Sequence, residues 1–119
     1  MEVKENYSLQ NYNTFAIAVK CKYFAEVGTE EELLDFVRTY EWNPEEILIL
    51  GGGSNFLFTE DFDGTVFYPV MKGMEVVKED GDFAYVRVGA GEVWDDFVAW
   101  AVEMGYGGVE NLSLIPGHV

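Results

Sequence analysis

Residues 47–58 read Ile47-Leu48-Ile49-Leu50-Gly51-Gly52-Gly53-Ser54-Asn55-Phe56-Leu57-Phe58. The first four are apolar without alternation, the pattern of a short strand buried on both faces. The glycines then stop the strand abruptly. Three glycines in this position let the backbone take positive φ angles and approach a ligand closely. Successive N–H groups can converge on a diphosphate, and Ser54 and Asn55 add a hydroxyl and an amide at little steric cost. No Gly-Lys-Ser/Thr follows, so this is not a Walker A loop. The G-x-G-x-x-G spacing of dinucleotide-binding turns is absent, and Phe56-Leu57-Phe58 opens no clear helix. Read on its residues alone, the run is either a phosphate cradle or a tight turn.

Upstream, residues 24–27 have the composition of a short strand. Thr29 is a strong helix N-cap with Glu32 three residues on, a capping box. Leu33, Leu34, Val37 and Tyr40 follow at helical spacing, which predicts a helix over about 30–40, ended by Asn43-Pro44. Downstream, residues 65–68 read as a strand closed by Pro69. Residues 74–78 and 83–88 flank Asp80-Gly81, a hairpin turn signal. In the second arm Phe83, Tyr85 and Arg87 alternate with Ala84, Val86 and Val88, so one face is expected to be buried and the other partly wet. Between residues 93 and 104 the period is helical again. Trp94, Phe97, Val98, Ala101 and Val102 share a face, and Asp95 and Asp96 lie in the first turn, where negative charge suits the helix dipole. Gly105, Gly107 and Gly108 end this helix. The order predicts an α+β fold in two lobes, the first over about 1–60 and the second over about 61–119.

Composition narrows the function. The chain has 119 residues, of which 49% are hydrophobic and 16% aromatic, enough for a real core and too apolar for a disordered tail. The formal net charge is −15, with 22 acidic residues against 7 basic ones. Nucleic acid and anionic membranes bind through Lys and Arg, so neither is an expected partner. A phosphorylated small ligand remains compatible, because backbone N–H groups hold phosphate without side-chain charge. No apolar run approaches a membrane span, and the polar start, residues 1–6, is not followed by a signal-type apolar stretch. The single cysteine, Cys21, cannot form an internal disulfide. With no secretion signal, a cytoplasmic location is expected.

Several segments together resemble the UDP-N-acetylenolpyruvoylglucosamine reductase family. Asn13-Thr14-Phe15 is similar to its near-amino-terminal signature, and residues 51–58 to its Gly-Gly-Gly-Ser-Asn-x-Leu loop. Asp61-Phe62-Asp63-Gly64 and Lys72-Gly73-Met74-Glu75 resemble the turn and hairpin start that follow. Gly89-Ala90-Gly91-Glu92-Val93-Trp94 is similar to its Ala-Gly-Glu-x-Trp helix start. Residues 108–117, Gly-Val-Glu-Asn-Leu-Ser-Leu-Ile-Pro-Gly, resemble its Gly-x-Glu-Asn-Leu-x-x-Ile-Pro-Gly segment.

The resemblance implies a two-lobed FAD-binding fold of the vanillyl-alcohol-oxidase (PCMH) type. Gly51, Gly52, Gly53, Ser54 and Asn55 would cradle the FAD pyrophosphate. Ile115, Pro116 and Gly117 would lie against the flavin. The implied reaction passes a hydride from NADPH through FAD to the enolpyruvyl double bond of UDP-N-acetylglucosamine enolpyruvate, giving UDP-N-acetylmuramate. The matched segments correspond to about the first third of such an enzyme, so the fold is expected to be truncated, with the rest of the flavin pocket and the substrate domain absent. The family's proton donor, arginine and glutamate are expected downstream of Val119, and no catalytic residue is assigned here. His118 stands where the family pattern has a small residue. Two alternatives stay open: a flavoprotein oxidase of the same fold, and a non-enzymatic acidic α/β module.

Other conspicuous residues read more simply. Cys21 fits a small buried hydrophobe, and His118 an ordinary loop histidine. Trp94, Phe97 and Trp100 fit helix packing. Glu110 and Asn111 fit a structural loop pair. Asp61 and Asp63 lack the acid spacing of a calcium loop, and no metal is expected.

Overall fold

The structure, a computed structural model, describes residues 1–39 and 44–119. Its elements run β1 (Val3–Ser8), β2 (Lys20–Val27), α1 (Glu30–Thr39), β3 (Ile47–Ile49), β4 (Phe62–Pro69), β5 (Met74–Glu79), β6 (Ala84–Val88) and α2 (Trp94–Glu103). The class is α+β, as the sequence predicts. One sheet has the order β1-β2-β4-β3, and β5 and β6 form a second. In the first sheet β1 is antiparallel to β2, while β2 and β3 both run parallel to β4. Parallel neighbours require crossovers. Helix α1 makes the one from β2 to β3, and residues 50–61, which contain the glycine run, make the one from β3 to β4.

The two crossovers cover opposite faces. On one, Phe36 of α1 is fully buried against Ala25, Val27 and Phe67, with Leu33 beside them. On the other, Leu9, Val19, Cys21, Phe24, Leu50 and Val66 form the larger core, flanked by Phe56 and Phe58 from the glycine crossover. A register shift between Cys21 and Tyr23 changes the alternation of β2 and brings Cys21 to the same face as Phe24.

The N-cap forms as read, but the reciprocal bond of the capping box reaches one residue further back, to Gly28 rather than Thr29. Glu32 N–H donates to Thr29 Oγ1 at 3.1 Å, and Glu32 Oε2 accepts from Gly28 N–H at 2.7 Å. The buried face of α1 differs from the expected stripe: Phe36 is fully buried, whereas Leu34 and Val37 are 44% and 39% exposed. Tyr40 and Asn43, which belong to the expected helix end, lie outside the described residues.

Three expectations change. The edge strand β1 is unforeseen, because its sequence Val-Lys-Glu-Asn-Tyr-Ser is polar and only Val3 and Tyr7 approach the core. Strand β3 is not buried on both faces. It has a single neighbour, β4, and Ile49 is 63% exposed. The division expected near residue 60 falls inside the first sheet, since β4 is hydrogen-bonded between β2 and β3 and the second sheet begins only at Met74.

The hairpin pairs Val76 with Val86 and Met74 with Val88. Ala84, Val86 and Val88 are half-buried, while Phe83 and Tyr85 are exposed, as the alternation requires. In α2 Val98 and Ala101 are buried, but Val102 is 53% exposed and leaves the expected stripe. The 72–75 and 89–94 segments hold each other: Gly73 N–H donates to Glu92 Oε1 at 2.9 Å, Gly91 N–H to the Met71 carbonyl at 2.8 Å, and Lys72 Nζ to the Gly91 carbonyl.

Candidate functional site

The glycine run begins where β3 stops. Leu50 N–H makes the last bond to β4, donating to the Phe67 carbonyl at 2.9 Å. Gly53 then turns the chain at φ +67°, and a Cβ there would sit 1.9 Å from the Tyr12 carbonyl oxygen. Only glycine satisfies both conditions. The turn is held from outside by Thr14 N–H, which donates to the Gly53 carbonyl at 3.2 Å. Its neighbour Asn13 is 7% exposed. The Asn13 amide donates to the Leu9 and Ile17 carbonyls at 2.8 and 3.2 Å and accepts from Ile17 N–H at 3.0 Å. The Asn-Thr-Phe segment therefore fixes the loop on which the glycine run rests. Beneath it lie Tyr7, Tyr12, Phe24 and Tyr68, with Tyr12 packed edge-on against Tyr68 at 5.1 Å between ring centres. The hydrogen bond shared with the Tyr7 hydroxyl, then burial, pushes the Tyr12 phenol well up, and burial pushes up Tyr68. These hydroxyls stay protonated and neutral at physiological pH.

The second wall comes from the C-terminal segment. Trp94 N–H donates to the Gly117 carbonyl at 2.9 Å, and Val119 N–H to the Glu92 carbonyl at 2.9 Å, so Val93 and His118 pair as an antiparallel bridge. The start of α2 holds the rest. Trp94 Nε1 donates to the Leu112 carbonyl at 2.8 Å, and Asp95 Oδ1 accepts from Leu114 N–H at 2.6 Å. The sequence offers Asp95 only as a helix-dipole partner; its grip on Leu114 needs the fold to be seen. Glu110 closes its own turn, accepting from Gly108 N–H at 2.6 Å, and these backbone bonds hold its carboxyl below the usual range.

The two walls meet. A Cβ built on Gly52 would lie 3.0 Å from the Gly117 Cα, and one on Gly117 would lie 3.3 Å from Ser54 Oγ. Gly117 itself has φ +116°. Of the residues read as a cofactor site, the structure thus brings Gly52 and Ser54 against Gly117, with Gly51 and Gly53 beside them. Asn55 and Pro116 are exposed, and Ile115 is 48% exposed, at the rim. Among the described residues, none of the N–H groups of residues 51–55 donates to another protein group. Backbone donors seldom stay unpaired without water or a ligand. Residues 51–58 also carry no carboxylate, so the surface charge of the chain does not intrude on the loop itself. Backbone donors without a protein acceptor and the absence of a carboxylate within residues 51–58 leave this loop chemically compatible with an anionic group such as a diphosphate.

His118, read as an ordinary loop residue, is tied to α2 by the bridge to Val93 and lies 6.3 Å from the Tyr68 ring. A further cleft of about 700 Å³ lies between the start of α1 and the β5–β6 hairpin, lined by Thr29, Met71, Gly73, Arg87 and Gly89 among others. The glycine run does not line it, and its Arg87 is paired with Glu75 at 2.9 Å. Cys21 is buried, as expected for a small hydrophobe. No group of three or more His, Cys, Asp or Glu able to hold a metal occurs among the described residues. No helix among them is long and apolar enough to cross a membrane.

The chain is 50% identical over its whole length to a UDP-N-acetylenolpyruvoylglucosamine reductase of Flavobacterium johnsoniae, covering 35% of that protein. It is 46% identical over 98% of its length to the enzyme of the same name from Bacteroides fragilis, again covering 35%. The chain therefore spans about a third of the length of the curated relatives it matches. The crystal structure of UDP-N-acetylenolpyruvylglucosamine reductase from Thermus caldophilus superposes with a TM-score of 0.66 at 26% identity, over 99% of this chain and 39% of that one. The FAD binding domain family matches residues 21–119, from β2 through the glycine run to the Gly117 wall, and the chain belongs to that family.

Proposed function

We propose that the chain is the FAD-binding part of an NADPH-dependent reductase that converts UDP-N-acetylglucosamine enolpyruvate to UDP-N-acetylmuramate, a step of cell-wall precursor synthesis in the cytoplasm. The observation that carries this is the run of unpaired N–H groups at residues 51–55, set against Gly117. The names of the similar proteins supply the reaction. FAD, when bound, supplies a flavin able to accept and pass on a hydride. The chain's own work is binding and orientation. Gly51, Gly52, Gly53, Ser54 and Asn55 hold the diphosphate. Ile115, Pro116 and Gly117 border the flavin, and Asp95 and Trp94 keep that border in place. No residue of this chain is assigned the proton donor or the groups that polarise the substrate.

The test is a titration of the purified chain with FAD, followed by flavin fluorescence and a thermal melt. Saturable binding that raises the melting temperature is the expected result. Absence of saturation at high FAD concentration both in this chain and in the parent protein overturns the reading of the loop. In the parent protein, NADPH oxidation should depend on the UDP-sugar enolpyruvate, and oxidation that ignores this substrate argues for the oxidase alternative.

A further inference from the structure

The segment that clasps the glycine run has no task in the proposed function. One side chain closes it on itself. Asn13 is buried, and its amide ties the two ends together, donating to the Leu9 and Ile17 carbonyls and accepting from Ile17 N–H. Between these bonds lies a β-turn, in which Ala16 N–H donates to the Asn13 carbonyl at 3.0 Å. Thr14 is the second residue of that turn. Its N–H donates to the Gly53 carbonyl at 3.2 Å. On the other side of Asn13, the Tyr12 carbonyl oxygen fills the place that a Cβ on Gly53 would take. Asn13 therefore stands between the two groups that fix Gly53. The hold on that carbonyl also sets the direction of the next donor. A trans peptide unit is planar, with its C=O and N–H opposed, and no peptide bond among the described residues is cis. With the Gly53 carbonyl turned to Thr14, Ser54 N–H points away from the 12–14 segment. No protein acceptor among the described residues meets it. Ser54 lies beside the opposite wall, its Oγ 3.3 Å from the Cβ position of Gly117.

We propose that Asn13 is a positioning residue for the cofactor: through Thr14 N–H and the Gly53 carbonyl it fixes the direction of Ser54 N–H, a donor to the FAD diphosphate. The proposal rests on the reading that FAD lies on the glycine run. Asn13 itself touches no ligand in this scheme. Its contribution is preorganisation. A run of glycines has more backbone freedom to lose than any other sequence, and a donor that is already aimed need not be ordered when the anion arrives.

FAD titrations are run on whichever of this chain and the parent protein saturates; saturation of neither removes the loop reading on which the proposal rests. Thr14→Pro deletes the N–H and little else. The second position of a β-turn favours proline, and Asn13, at φ −136° and ψ 143°, is already extended as a residue before proline must be. Asn13→Ala deletes the closure itself. Each should weaken FAD about tenfold, whereas Phe36→Leu, on the opposite face of the sheet, should lower the melting temperature and leave affinity within about twofold. The Ser54 amide proton should move downfield when FAD binds, and that movement should shrink in Thr14→Pro and Asn13→Ala but not in Phe36→Leu. Thr14→Pro decides alone if Asn13→Ala does not fold. If Gly52→Val binds FAD as the unmutated protein does, the loop reading fails. If Gly52→Val loses affinity while Thr14→Pro or a folded Asn13→Ala keeps it, the loop reading stands and the role of Asn13 is overturned. Equal weakening by Phe36→Leu, or an undiminished Ser54 movement in the two turn variants, also overturns it, because it marks lost stability rather than a lost direction.

Discussion

Gly52 and Gly117, remote in sequence, approach so closely that a Cβ on Gly52 would stand 3.0 Å from the Gly117 Cα. The contact joins the crossover from β3 to β4 with the segment that follows α2. It leaves the backbone donors of residues 51–55 beside a wall made by a second glycine. Neither loop alone makes the site.

Gly52→Val should therefore cost cofactor more than fold. The added side chain must displace Gly117 or tilt the loop, which misaims the N–H donors that the proposed function assigns to the FAD diphosphate. Loss of one charge-assisted bond of about 1.4 kcal/mol corresponds to about tenfold weaker FAD binding. Fluorescence titration measures it, and a variant that binds FAD as tightly as the parent contradicts the assignment.

Gly53→Ala should act on stability instead. The residue needs positive φ, and its Cβ would sit 1.9 Å from the Tyr12 carbonyl oxygen. Strain and clash together place the expected loss at about 3 kcal/mol. Urea unfolding should show a lower midpoint with an unchanged slope. An unchanged midpoint would mean that the loop opens away from Tyr12 at no cost.

Asp95→Ala should loosen the segment that leads to Gly117 without unfolding α2. The lost partner is the 2.6 Å acceptor of Leu114 N–H, a bond to a charged group worth about 2 kcal/mol. Amide exchange at Leu114 should accelerate, while that at Val98 and Ala101, buried in α2, stays slow. Acceleration spread evenly over α2 would show that Asp95 supports the helix rather than the segment.

Alkaline pH should destabilise the chain. Burial pushes the Cys21 thiol above its ordinary value of 9.0, and burial aided by Glu26 pushes Tyr68 above 10.0. The Tyr7 hydrogen bond and burial do the same for Tyr12. The folded chain thus holds these protons to higher pH than the unfolded chain does. Stability from this source is complete below the ordinary values and is lost as pH rises past them towards the folded ones. Melts at rising pH should show a falling melting temperature above pH 9, less steep in Tyr68→Phe. Equal slopes in the two chains would remove Tyr68 from the account.

The local features were legible in the sequence. The Thr29–Glu32 N-cap, the Asp80-Gly81 hairpin, the extent of α2 and the glycine run each depend on residues a few positions apart, whose hydrogen bonds and periodicity are written in the chain itself. The family resemblance added what such rules cannot reach, namely the cofactor; the contact of Gly52 with Gly117 came only with the structure. Tertiary structure alone decided the rest. Strand β1 forms because β2 offers it an edge. Ile47-Leu48-Ile49 looks doubly buried yet lies at the sheet margin, because burial of a strand depends on which neighbours flank it. Strand β4 joins the first sheet across the division expected near residue 60, since β2 and β3 both need a parallel partner. Phe36 takes the core position that Leu34 and Val37 were expected to share, because the face α1 buries is chosen by the sheet beneath it. His118 comes to lie beside Gly52 for the same reason: the pairing with Val93 carries it there, and long-range pairing is a property of the folded backbone rather than of neighbouring residues.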